Sequence, residues 1–158
     1  MQIRKKGEPA GTPAPAANLR QAEIKWVKGF QFVGRGDSGH AVVMDANQEI
    51  GGGNTAARPT ELVLIALGGC TGIDVVNILT SMRLKIASLE IQVRAEPVEE
   101  LPKSFREIWI KYVLRGDVPE KKLREAIELS KTKYCSVGAM LSPGAKINYQ
   151  YEIIRPER

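Results

Sequence analysis

Apolar positions in this chain change period several times, and each change marks a candidate element. Ala22 to Val33 carries Ile24, Trp26, Val27, Phe30 and Phe32 in a pattern that suits a strand. The cluster Gly34-Arg35-Gly36-Asp37-Ser38-Gly39 predicts a turn, and His40 to Met44 resumes as a second strand. Together they predict a hairpin whose loop presents Arg35. Pro59 then opens a helix predicted through about Met82, with proline in the first turn, where its missing N–H costs nothing. From Leu62 to Leu79 the helix is apolar almost all round, which suits a buried central helix or a membrane span. Cys70, Asp74, Asn77 and three glycines interrupt the run, which favours the core helix and no membrane. Gly68 and Gly72 share one face and let another backbone come close. Close packing against a second helix is expected there, with the same helix of a partner subunit as the candidate.

Two further strands follow. Ile86 to Glu96 alternates around Leu89, Ile91 and Val93, and Phe105 to Leu114 contains Ile108, Ile110, Tyr112 and Leu114. Asp117 and Glu120 have capping-box spacing, and Leu123, Ala126, Ile127, Ser130 and Tyr134 keep the 3.6-residue period of an amphipathic helix. Ala145 to Ile154 closes as a strand around Ile147, Tyr149 and Tyr151. The order is hairpin, long helix, two strands, helix, strand, which predicts an α+β fold and not alternating βαβ units. Residues 1–21, rich in Pro, Ala, Gly and Lys, read as a flexible N-terminal arm, and 22–158 as a single domain.

Composition narrows the function. The net charge of +5 would suit an anionic partner. The basic residues are interleaved with acids, however, as in Glu120-Lys121-Lys122-Leu123-Arg124-Glu125, and no nucleic-acid motif is present. The expectation is a mildly basic solvated surface without nucleic acid. The basic N-terminus has no apolar segment behind it of the kind a secretory signal carries. Two cysteines cannot build a disulfide framework, CxxC pairs are missing, and there is one histidine, so no structural metal site is expected. Gly51-Gly52-Gly53-Asn54 is a loop without the Lys-Ser/Thr of a phosphate-binding loop, and no cofactor is expected. A reducing cytoplasm is the expected compartment, where a cysteine pair is reactive or simply buried.

Candidate chemistry therefore centres on Cys70, within the long helix, and Cys135, at the end of the amphipathic one. A helical turn starting at Ser136 would aim free N–H groups and a positive dipole end at Cys135 and favour a thiolate. Two inert buried thiols are the alternative, because free cysteine is among the most buried residue types. Asp74, one turn beyond Cys70, is a candidate to cap an interaction inside the dimer, and near the thiol its charge would oppose thiolate formation. His40 suits a hydrogen-bonded structural role better than that of a general base or ligand.

Pro59-Thr60-Glu61-Leu62, then Ala66-Leu67-Gly68-Gly69-Cys70-Thr71, Asp74-Val75-Val76 and Ile78-Leu79, resemble the central helix of the OsmC/Ohr family. Tyr134-Cys135-Ser136-Val137 near the C-terminus resembles its second cysteine block, with Pro102 and Phe105 opening the strand between. Gly39-His40 after the hairpin turn points to the OsmC-like, YhfA-type branch. The likeness spans about Trp26 to Ile153. It implies antiparallel sheets around a long buried central helix in an intertwined homodimer. It also implies a thiol-dependent peroxidase of oxidative-stress defence, acting on organic hydroperoxides and on hydrogen peroxide as a further candidate. Cys70 would be the peroxidatic thiol, Cys135 the resolving thiol, and Arg35 the guanidinium beside the sulfur, with a thiol or dithiol as reductant. The hydroperoxide resistance branch has Asn-Pro-Glu before the helix, its Glu orienting the arginine. Here Arg58-Pro59-Thr60 stands there, and Glu61 is either a displaced partner of Arg35 or an ordinary first-turn acid. Ser136 replaces the usual proline after the second cysteine. A non-catalytic redox sensor or small-ligand binder of the same fold is the alternative function.

Overall fold

The computed structural model describes residues 19–155. They divide into two compact units, one ending at Arg58 and the other starting at Pro59. The expected arm lies almost wholly outside the described residues.

The first unit is a three-stranded antiparallel sheet in the order β1-β2-β3. β1 is Ala22–Lys28, β2 is Gln31–Gly36 and β3 is Ala41–Met44. The single strand expected from Ala22 to Val33 is thus two strands folded back at Gly29, whose positive φ of 51° a side chain would strain. β2 runs on through the glycine cluster, so the second turn is shorter than its composition suggests. Gly39 closes it, donating its N–H to Gly36 O at 3.0 Å. After β3 the buried Asp45 carboxylate braces the loop. It accepts from Thr55 Oγ1 at 2.7 Å, Ala46 N at 2.8 Å and Thr55 N at 3.0 Å. The hydrogen bond from the Thr55 hydroxyl, first among these, holds the Asp45 pKa below its ordinary value.

The second unit sets the long helix α1 (Pro59–Ser81) against a three-stranded sheet β4-β5-β6, with α2 (Glu120–Leu129) and α3 (Ser136–Leu141) also packed on α1. β4 is Ser88–Pro97, β5 is Phe105–Arg115 and β6 is Lys146–Ile154. β5 is the central strand, and Ile108, Ile110, Tyr112 and Leu114 on its covered face are fully buried. That alternation is the period-2 signal of the sequence. β4 pairs antiparallel with β5, but β6 runs parallel to it, so the expectation of wholly antiparallel sheets is corrected at one pairing. The return through α2 and α3 carries the chain back to the starting end of the sheet, which a parallel neighbour requires.

Within the chain, Gly68 and Gly72 allow a close approach to β4. A Cβ at Gly68 would stand 3.1 Å from Val93 Cγ2, and one at Gly72 3.3 Å from Ile91 Cγ1. The capping box is also absent. Pro119 is the N-cap residue of α2 and offers no side-chain hydrogen bond, and Glu120 instead accepts from Tyr151 Oη at 2.7 Å. α1 is long and apolar enough to cross a membrane, yet it buries Leu67, Thr71, Val75 and Leu79 against the rest of its own unit. On that face it packs as a core helix does.

Candidate functional site

Two helices and one irregular turn bring the two cysteines together. Cys70 and Asp74 are one turn apart on α1 and share a face. The α2 helix ends by widening into a π turn, Ser130–Tyr134, after which the chain extends at Cys135 (ψ 94°) and starts α3. Cys135 therefore stands at the helix start that the sequence suggested, its sulfur accepting from Gly138 N at 3.3 Å. The sulfurs of Cys70 and Cys135 and a carboxylate oxygen of Asp74 all lie within 4.8 Å of one another. Both thiols are unbridged. A disulfide between them would bring the sulfurs to about 2.05 Å.

The two thiols have different surroundings. Cys70 is half-buried, whereas Cys135 is only 5% exposed. Burial pushes the Cys135 thiol up to about 11, and its contact with Cys70 and the charge of Asp74 act in the same direction. The Gly138 N–H opposes them, as expected of a helix start, but burial outweighs it. The expectation that this position would favour a thiolate is corrected on that ground.

A buried chain of hydroxyls holds Asp74. Ser130 Oγ donates to Asp74 Oδ2 at 2.8 Å. A serine hydroxyl has one proton, so Ser130 must accept at its 3.0 Å contact with Thr71 Oγ1. Thr71 has then spent its own proton and accepts from Tyr112 Oη at 2.5 Å. The chain is thus polarised from Tyr112 through Thr71 and Ser130 to the carboxylate. Burial raises the pKa of Tyr112, which keeps that phenol a donor. The sequence marked Asp74 as a cap inside the dimer or an opposing charge, and gave no place to the three hydroxyls. One signal was present: Ser130 is a polar residue at a core position of the amphipathic period, and it is fully buried.

The other candidates lie elsewhere in the chain. Arg35 is in the β2 ladder and not in a loop, paired in register with Glu23 on β1 and Ala41 on β3. It belongs to the first unit and the thiols to the second. Glu61 is half-buried in the first turn of α1. His40 is exposed just before β3.

α1 and β4 form an open apolar groove of about 910 Å³, lined by residues that include Ile65, Gly69, Ile73, Leu89 and Ile91. An α+β unit with a long core helix that presents one thiol to another at a helix start defines a small class of proteins. The family model for OsmC-like proteins matches residues 51–150, and the chain belongs to that family. It is 39% identical to Protein YhfA of Escherichia coli K12 over 135 residues, 85% of this chain and 98% of that protein. A hypothetical protein from Aquifex aeolicus VF5 superposes with a TM-score of 0.78 at 31% identity, covering 89% of this chain and 99% of the other. An organic hydroperoxide resistance protein from Elizabethkingia anophelis shares the fold, with a TM-score of 0.67 at 14% identity over 89% of this chain and 100% of its own.

Proposed function

We propose that the protein is a thiol-dependent peroxidase that reduces organic hydroperoxides in oxidative-stress defence in the cytoplasm, and that it works as a homodimer. The observation that carries this reading is the meeting of Cys70 and Cys135 in one cluster, one thiol half-open and the other buried. The fold shared with proteins titled organic hydroperoxide resistance proteins supports the substrate class.

The Cys70 thiolate attacks one peroxide oxygen, the O–O bond breaks, and the alkoxide leaves and takes a proton as the alcohol. Cys70 is then a sulfenic acid. The Cys135 sulfur attacks the Cys70 sulfur, its proton and the departing hydroxyl leave as water, and a disulfide remains. A dithiol reductant restores both thiols by exchange and is itself oxidised. The different surroundings support this order. The accessible thiol meets the substrate, and the buried one, protonated at neutral pH, waits for a sulfenic acid beside it. Arg35 is proposed as the guanidinium that stabilises the Cys70 thiolate, and Glu61 as its partner, on the family resemblance alone.

Peroxide consumption with cumene hydroperoxide and a lipoyl dithiol tests the proposal. Turnover that disappears in Cys70→Ser is expected. Oxidation of both thiols without turnover would leave the redox-sensor reading standing in its place.

A further inference from the structure

We propose that the reduced Cys70–Asp74–Cys135 cluster is a binding site for one thiophilic divalent cation of the zinc class. The inference stands apart from peroxide chemistry, since it needs only the three donors and their framework.

The donor set is two sulfurs and one carboxylate oxygen, mutually within 4.8 Å. Zinc–sulfur bonds of about 2.3 Å in a tetrahedron place two sulfurs roughly 3.8 Å apart and, with zinc–oxygen bonds of about 2.1 Å, a sulfur and an oxygen roughly 3.6 Å apart. The cluster therefore closes on a cation by moving each pair no more than about 1.2 Å. Cys70 and Asp74 have the i, i+4 spacing by which a helix presents two ligands from one face. The third donor enters from the start of α3. Three protein ligands with a fourth position left to water is a known zinc arrangement.

The outer contacts are those of a ligand set. Ser130 holds Asp74 through Oδ2, while the Gly138 N–H points at the Cys135 sulfur. The hydroxyl chain through Thr71 and Tyr112 fixes Ser130 in turn. Cys70 and Asp74 are half-buried, so a cation can approach on their side with Cys135 behind. Magnesium and calcium, which take six or more oxygens, do not suit two sulfurs. A Cys70–Cys135 disulfide removes two of the three donors, so cation binding and oxidation exclude each other.

The test titrates cobalt(II), as a spectroscopic stand-in, into the reduced, chelator-treated full chain without oxygen, and then displaces it with zinc(II). A saturable thiolate-to-cobalt absorption band at one cation per chain is expected, lost on addition of zinc and not formed by the oxidised protein. Cys70→Ser and Cys135→Ser should each abolish the band. Asp74→Ala should weaken binding by at least tenfold, and Ser130→Ala by about tenfold or more, the usual effect of losing an outer contact. Asp74→Asn, which keeps an acceptor for Ser130, is the second variant should Asp74→Ala fail to fold. Lack of a saturable band in the reduced protein would overturn the proposal. So would a band that survives in Cys135→Ser, or equal affinity in folded Asp74→Asn. Because none of these readouts involves peroxide, failure here and failure of the peroxidase reading are separate results.

Discussion

At Cys135 two influences act in opposite directions. The helix start and the Gly138 N–H favour the thiolate, and burial among apolar neighbours disfavours it and wins. With the thiol near 11, the thiolate fraction at pH 7 is on the order of one in ten thousand. Alkylation of Cys135 in the Cys70→Ser protein should therefore still rise about tenfold per pH unit past the range where an ordinary thiol has levelled off, because burial remains. It should flatten below the parent's value, because the raising contribution of the Cys70 thiol is gone. A rate that levels off by pH 9 would show that burial does not control this sulfur. The same asymmetry separates the variants. Cys135→Ser should still be oxidised once by cumene hydroperoxide and then hold a sulfenic acid that dimedone traps at Cys70. Cys70→Ser should trap none. Both cysteines were legible as a pair because the blocks around them resemble a known family; composition and spacing left two inert thiols equally open. Asp74 as a member of the cluster was not legible. Its distance to Cys135 depends on where the π turn delivers the chain, and no periodicity encodes that.

Elements with a clean period were read closely, and those set by tertiary partners were not. The period-2 pattern of β5 and the 3.6-period of α2 survive in the fold, since each exposes one face to the core and burial enforces the pattern. The hairpin region misled because its glycines signal turns, while pairing holds β2 extended, with β3 as far as Arg35 and with β1 as far as Gly36. The capping box failed for a comparable reason. Pro119 takes the cap position, and Tyr151 of the distant β6 claims Glu120. The core of α1 carries two testable consequences. Leu79 is fully buried, and Leu79→Ala should cost about 2–5 kcal/mol in urea unfolding, the range for a buried leucine whose cavity relaxes only in part. Thr71→Val keeps the shape of the side chain but leaves Tyr112 without an acceptor and Ser130 without a donor. It should cost about 1–3 kcal/mol, the penalty of unsatisfied buried polar groups. A Thr71→Val protein as stable as the parent would mean that water replaces the hydroxyl.

On the scale of the molecule, α1 is less covered than its sequence demands. Ile65 and Ile73 are 62% and 72% exposed, and with Val76 and the β4 residues Leu89, Ile91 and Val93 they line the open groove between α1 and β4. In the first unit every residue of β1 is exposed, Trp26 to 66%. Apolar surface on this scale marks an interaction site more often than a free surface. A second copy of the chain is the occupant we propose, which would bury the remaining face of the helix. On that proposal Ile73→Glu should convert a dimer into monomers, because a carboxylate has no partner in an apolar contact. The substitution leaves the buried side of α1 untouched, so the monomer should retain the helical content of the parent by circular dichroism. Gly69, which lines the groove, directly precedes Cys70 on α1, so peroxide turnover should fall along with the mass. Light scattering coupled to size exclusion gives the answer directly. If the parent chain elutes as a monomer near 17.4 kDa with full activity, the second copy is not the cover and the groove belongs to another partner.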